Sequence, residues 1–346
     1  MKTELLTVLD PTAHAEDIAR AATVLTRGGL VVFPTETVYG IGGNGTDPAA
    51  AAAIYRAKGR PSDNPLILHI ADPRDAERYA ITNEAYYRLA AQFMPGPLTV
   101  ILPKKDIVPT TVTGGLDTVA LRCPSHPVAN ALIREAGVAI AAPSANLSGK
   151  PSPTLASHVI DDLDGKVDVI IDGGAAEVGL ESTIVSLAGD TPMLLRPGAV
   201  THDALCLALG EVHIAPAVVE GLRENERPMS PGMKYRHYAP KATLTLLEGE
   251  EQDVTAFLAN TARDKCVGIL CYDEEIALMP ASATLFPVGA KEDLTTQAHR
   301  LFAVLREADT NPDITALFAH LPPQNGLGLA LYNRLIRAAA HTVKKV

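Results

Sequence analysis

Short apolar runs alternate with helical periodicity along the chain, a pattern that predicts an α/β fold. Residues 30–34, 66–70, 98–102, 118–122 and 138–142 read as buried strands, and 167–171, 183–187 and 193–195 continue the sheet. Residues 16–27, 49–58, 83–93, 127–135 and 201–209 read as helices. Their ends carry the expected signals. Gly28-Gly29 stops the first, Asp47-Pro48 caps and starts the second, and Met94-Pro95-Gly96-Pro97 halts the third.

The character changes near residue 220, where residues 220–240 are polar, hold Pro228, Pro231 and Pro240, and lack a period. A stretch of this length without its own elements is functional or a linker. Beyond it, residues 243–247, 267–272, 284–288 and 315–321 read as strands, and 252–261, 294–307 and 328–340 as helices. The expected organisation is therefore three parts. Residues 1–217 form an α/β unit, 218–242 a linker, and 243–346 a smaller Rossmann-like unit with no phosphate loop.

Composition narrows the function classes. The 346 residues are 47% hydrophobic but only 4% aromatic with no Trp, so Ala, Val, Leu and Ile must build the cores. A formal net charge of −10 argues against strong direct binding of nucleic acid, while leaving room for a local cationic pocket. Cys123, Cys206, Cys266 and Cys271 fit neither a zinc pattern nor a disulfide framework and read as buried thiols of a reducing cytoplasm. No apolar run is long enough to span a membrane, and the first ten residues do not read as a signal peptide.

Four segments carry candidate chemistry. Gly40-x-Gly42-x-x-Gly45 follows a strand and precedes a helix, as a dinucleotide fingerprint would. However, Thr35 to Tyr39 intervene before the first glycine, and Asp63 precedes the next strand instead of ending it. These glycines read as a bending loop with positive φ. Lys58 and Arg60 leave a helix and enter a stretch stiffened by Pro61 and Pro65, which can hold cations against phosphate at little entropic cost. Ser144 and Asn146 follow a wholly apolar strand, where open α/β sheets bind ligands. Arg122 ends another strand and could fork onto a carboxylate.

Taken together, Pro34-Thr35-Glu36-Thr37-Val38-Tyr39-Gly40, Lys58-x-Arg60, Asn64-Pro65-Leu66, Pro95-Gly96-Pro97-Leu98-Thr99, Ser144-x-Asn146, Glu181-Ser182-Thr183-Ile184-Val185 and Leu195-Arg196-Pro197-Gly198 resemble the YrdC-type threonylcarbamoyl-AMP synthase family over about the first 210 residues. Residues 230–240 resemble the linker of its long, two-domain version, and the C-terminal region fits the extra domain of that version in size and pattern. The resemblance implies that residues 1–217 form a twisted open α/β sheet around a deep cavity, and that the chain is an enzyme that makes threonylcarbamoyl-AMP and pyrophosphate from L-threonine, bicarbonate or CO2, and ATP. A separate transferase complex would then pass the threonylcarbamoyl group to tRNA.

By the same resemblance, Lys58, Arg60, Ser144 and Asn146 line a cationic catalytic cleft. Arg60, Asn64, Thr118, Ser144, Ser152, Arg196 and Tyr238, with His237 beside it, contact ATP. Thr37, His69, Arg122, Ala142 and Ser182 hold threonine, and the 218–242 linker covers the site. No metal ligand is assigned; Mg2+ is expected to arrive on the ATP phosphates. An RNA-binding module, a carbamoyl-transfer protein of hydrogenase maturation and a nicotinamide-dependent oxidoreductase are the competing readings. The acidic charge, the lack of acylphosphatase and zinc-finger segments, and the imperfect glycine fingerprint argue against them in turn.

Overall fold

The computed structural model describes residues 2–219 and 237–346, which fall into two compact units. The first comprises residues 2–148, 153–177 and 181–219, and the second comprises 149–152, 178–180 and 237–346.

Among the described residues, eleven strands form the sheet of the first unit. They are β1 (Glu4–Thr7), β2 (Val31–Phe33), β3 (Gly40–Asn44), β4 (Ile67–His69), β5 (Leu98–Pro103), β6 (Thr118–Arg122), β7 (Ile140–Ala142), β8 (Val169–Asp172), β9 (Thr183–Ser186), β10 (Met193–Arg196) and β11 (His213–Ile214). Their spatial order is β1-β8-β2-β3-β7-β4-β6-β5-β9-β10-β11, with parallel and antiparallel neighbours mixed. Most central strands are buried along nearly their whole length, as expected of apolar runs covered on both faces. On one face, helices Ala15–Thr26 and Pro127–Ala136 pack Ile18, Leu25, Leu132 and Ile133 against Val31, Phe33 and Ile171.

Helix Pro48–Lys58 shows how local chemistry aims a site residue. The Asp47 carboxylate accepts the Ala49 N–H at 2.8 Å, Pro48 sits in the first turn, and Gly59 ends the helix at φ +61°. Lys58 is therefore the last helical residue, placed where the chain turns back toward β4.

The expectation for the glycine segment is corrected. Gly40, Gly42 and Gly43 lie in β3, paired antiparallel with β2, and none is among the residues with positive φ. Their role is close approach. A Cβ on Gly42 would lie 2.5 Å from Ile140 Cγ2 and 2.8 Å from Phe33 Cε1. A glycine strand inside an antiparallel pair has no phosphate-binding turn to offer, which removes the main support for an oxidoreductase.

The second unit holds a fully parallel five-stranded sheet of β12 (Thr243–Glu248), β13 (Val267–Cys271), β14 (Thr284–Pro287), β15 (Ala316–His320) and β16 (Val343–Lys345), in the order β14-β13-β15-β12-β16. It is Rossmann-like in being parallel with intervening helices. Its fourth strand nevertheless sits between its first and second, unlike the usual 3-2-1 half. Among the cysteines, Cys123 and Cys271 are buried as expected, but Cys206 is half-buried and Cys266 is exposed in the turn before β13. No described helix is long and apolar enough to cross a membrane.

Candidate functional site

Sheet register assembles the first part of the site. His69 of β4 pairs with Arg122 of β6, and Arg122 pairs with Thr99 of β5. Residues that pair across strands share a face, so three polar side chains from distant sequence positions lie on one rung of the sheet. The Thr99 hydroxyl lies 2.7 Å from that of Ser182, just before β9. Arg196 donates from Nε to the Ser182 carbonyl at 2.9 Å and from Nη2 to the Ser182 hydroxyl at 3.1 Å. A register shift between Leu194 and Arg196 accompanies this placement, the kind of bulge that re-aims a side chain.

The turn between β2 and β3 closes over this rung. Glu36 reaches Arg122, with Oε1 2.8 Å from Nη2, and both side chains are about 5% exposed. Burial alone would raise the Glu36 pKa, but the charge of the Arg122 guanidinium beside it outweighs burial and holds the carboxyl below its usual range. The Thr35 hydroxyl donates to the Val38 carbonyl at 2.6 Å and lies 2.9 Å from the Thr37 hydroxyl. His69 is buried, with Nδ1 3.2 Å from the Ile67 carbonyl. Desolvation first, and the Arg122 charge second, push its pKa down to about 3, so the ring is neutral at physiological pH.

Lys58 organises the second part. Its ammonium donates to the Ser144 carbonyl at 2.5 Å and to the Asn146 carbonyl, while the Ser144 hydroxyl donates to Asn146 Oδ1 at 2.6 Å. Ser144 forms a bridge to Gly40, and the Ala145 N–H donates to the Tyr39 carbonyl at 2.8 Å. The same β2–β3 turn therefore borders both parts. Arg60 donates to the Asn64 and Pro65 carbonyls at 3.3 and 3.1 Å, which fixes the loop after the helix.

Several buried polar atoms here have no hydrogen-bond partner among the described residues: Asn64 Oδ1, both Glu36 carboxylate oxygens, and Arg122 Nε and Nη2. Nη2 lies close to Glu36, but not in line for a hydrogen bond. Buried polar groups are rarely left so, and such a cluster is what a polar ligand would satisfy.

Of the residues proposed from sequence, Thr37, His69, Arg122, Ser182 and Arg196 gather around one rung, and Lys58, Arg60, Asn64, Ser144 and Asn146 around the neighbouring loops. Ala142 ends β7 and pairs with Ile67. Thr118 lies on the Arg122 face of β6 but four residues away, about 13 Å along the strand. It borders a cavity of about 360 Å³ lined by Ile101, Leu116, Ser186, Met193 and Leu195. Ser152 and Tyr238 belong to the second unit, where Tyr238 stands at φ 63° with its ring 5.2 Å from that of Phe302. Of the 230–240 linker motif, residues 230–236 lie outside the described residues. Sequence reasoning assigned no role to Glu36 or Thr99, although both stand inside quoted motifs. A carboxylate between two threonines in a buried turn was the available signal for the first.

A family model described as "Telomere recombination", of the Sua5, YciO and YrdC proteins, matches residues 23–198. A second, described as the C-terminal domain of threonylcarbamoyl-AMP synthase, matches residues 200–340. The chain is 45% identical to the threonylcarbamoyl-AMP synthase of Bacillus subtilis, covering 99% of this chain and 96% of that protein. It is 43% identical to the enzyme of that name from Pyrococcus abyssi, covering 94% and 95%. A crystal structure of P. abyssi Sua5 complexed with L-threonine matches with a TM-score of 0.90 at 40% identity, covering 100% of each chain.

Proposed function

The chain belongs to the threonylcarbamoyl-AMP synthase family, and we propose that it makes threonylcarbamoyl-AMP and pyrophosphate from L-threonine, bicarbonate or CO2, and ATP. The observation that carries this reading is the buried rung of His69, Arg122 and Thr99, with Arg122 donors still open. A guanidinium with free donors in a buried site suits the carboxylate of an amino acid. Neutral His69, with Thr37 and Ser182, suits the threonine hydroxyl and amine. Ala142 would supply backbone at the edge of this subsite.

In the first step the threonine amine takes up CO2 and loses a proton, giving N-carboxythreonine. The new carboxylate then attacks the α-phosphorus of ATP, the bond to the β-phosphate oxygen breaks, and pyrophosphate leaves. No protein nucleophile is required. The demand is for fixed positive charge and positioning, because triphosphate and carboxylates crowd together. Lys58, Arg60 and Arg196 would meet that demand, with Asn64, Ser144 and Asn146 orienting the reacting groups. The cavity beside Thr118 would take the nucleoside end of ATP.

Among the described residues no group of acidic, imidazole and thiol side chains is arranged to hold a metal. As an expectation from the family resemblance alone, Mg2+ would enter with the triphosphate, and no step here is assigned to it. The same reading carries a cytoplasmic location and a separate transferase complex that consumes the adenylate.

The test is mass spectrometry of the protein with ATP, Mg2+, threonine and bicarbonate, following pyrophosphate in parallel. Threonylcarbamoyl-AMP should form only when all substrates are present. It should fall about a hundredfold in Lys58→Ala or Arg60→Ala, the scale of losing one transition-state donor. A folded, ATP-binding protein that yields neither adenylate nor pyrophosphate would overturn the proposal.

A further inference from the structure

The turn between β2 and β3 contains a hydroxyl relay whose direction is fixed at its far end. The Val38 carbonyl can only accept, and the Thr35 hydroxyl lies 2.6 Å from its oxygen, so the single proton of Thr35 is committed there. The same Thr35 oxygen stands 2.9 Å from the Thr37 hydroxyl oxygen. Two hydroxyl oxygens that close share a proton, and Thr35 has none left to give. Thr37 is therefore the donor of that bond. The backbone N–H groups of Thr37 and Val38, each 3.3 Å from the Thr35 oxygen, also point donors at it. Thr35 and Thr37 are 1% and 0% exposed, so bulk water does not re-sort these protons.

The consequence falls on Thr37. With its one proton directed to Thr35, its hydroxyl offers a ligand lone pairs only. An uncharged, buried acceptor suits an uncharged donor, because an ammonium placed on it would lack a countercharge. On threonine that donor is the β-hydroxyl.

We propose, resting on the threonine-binding reading of this site, that Thr35 is a positioning residue that sets amino-acid specificity. It holds Thr37 as an acceptor, so the bound amino acid must donate a hydrogen bond from its side chain. L-Threonine meets that demand. L-Valine, of nearly the same shape, does not, and neither does O-methyl-L-threonine, whose ether oxygen accepts but cannot donate. Both would leave a buried polar group unpaired, which is how a site built for a hydroxyl rejects its analogues.

Calorimetry on the full chain compares the three amino acids, in the presence of an α,β-methylene analogue of ATP that cannot release pyrophosphate. In the wild type, L-threonine should bind at least roughly tenfold more tightly than L-valine, and O-methyl-L-threonine no better than L-valine. Thr35→Val keeps the side-chain shape and frees the Thr37 proton. The preference for threonine over valine should then shrink about fivefold, the scale of one net hydrogen bond, while O-methyl-L-threonine gains on valine. Thr35→Ser, which keeps the hydroxyl, should keep the preference. A purely structural role would weaken threonine and valine alike and leave their ratio unchanged. In a Thr37→Val background, Thr35→Val should not alter the ratio further. An unchanged ratio in folded Thr35→Val, or O-methyl-L-threonine rivalling threonine in the wild type, would overturn the proposal. If circular dichroism shows that Thr35→Val does not fold, the wild-type comparison decides. A wild type that prefers threonine to none of these ligands, or binds none, would overturn the threonine-site reading and this proposal with it.

Discussion

At about 5% side-chain exposure, neither Glu36 nor Arg122 can exchange its partner for water. Glu36→Gln leaves a buried guanidinium without its countercharge, a change that costs about 3–5 kcal/mol in buried pairs. Urea unfolding should show that loss at pH 7, and the KM for threonine should rise because Arg122 is no longer held. Unchanged stability and KM would mean the pair is not coupled to the site. His69 gives a pH signature of its own. Its folded pKa of about 3 lies below the ordinary histidine value of 6.5, so the unfolded chain binds more protons between those limits. Stability should therefore be fully present above pH 6.5 and fall as the solution is acidified, by about 2 kcal/mol between pH 6.5 and 5. Glu36 contributes only lower down, because its depressed pKa keeps its stabilisation until the pH passes below the ordinary carboxylate value. His126, also lowered by burial, adds to the same slope. His69→Gln should flatten the upper window, and a slope identical to wild type would refute the assignment. Arg122, Ser144 and Asn146 were legible in sequence as polar groups at the ends of apolar runs, and Lys58 and Arg60 as cations leaving a helix, whereas Thr37, Asn64, Ser182 and Arg196 came only with the family resemblance. Glu36 and Thr99 were not legible, because they act on Arg122 and Ser182 across strand pairings that no spacing along the chain reveals.

Strand β3 shows what pattern reading misses at the level of an element. Its glycines carry no hydrophobic alternation, so they look like a loop, yet the segment is a strand because neighbouring side chains fill the space a Cβ would need. Gly42→Ala should force Ile140 and Phe33 to move and cost about 1–3 kcal/mol, the usual range for overpacking. A lowered thermal midpoint with the fold retained is the expected result, and an unchanged midpoint would mean the packing is looser than described. Helix Ala156–Leu163 escaped for a different reason. It is short, follows Pro151 and Pro153, and its cap residue Leu155 makes no side-chain capping bond. Edge strand β16 is exposed along its length and contains Lys344 and Lys345, so it lacks the apolar run that marked the central strands. By contrast, helix Pro48–Lys58 carried its own start and stop signals, and its position in sequence and structure agrees.

The charge of the whole molecule separates making the adenylate from using it. At a net charge of −10 the chain has little to release counterions from tRNA, so we expect its buried cations to serve a small substrate. Lys58, Arg60, Arg122 and Arg196 are all at most 9% exposed, too enclosed to track a phosphate backbone on the surface. Binding of unmodified tRNA at 150 mM salt should therefore be no tighter than roughly the 10⁻⁴ M limit of non-specific association. Adenylate should form at the same rate with or without tRNA. Filter binding and a tRNA titration of the pyrophosphate release assay measure the two quantities. Tight, salt-dependent tRNA binding that accelerates release would mean that acceptor RNA completes the active site, and the separation of synthesis from transfer would have to be abandoned.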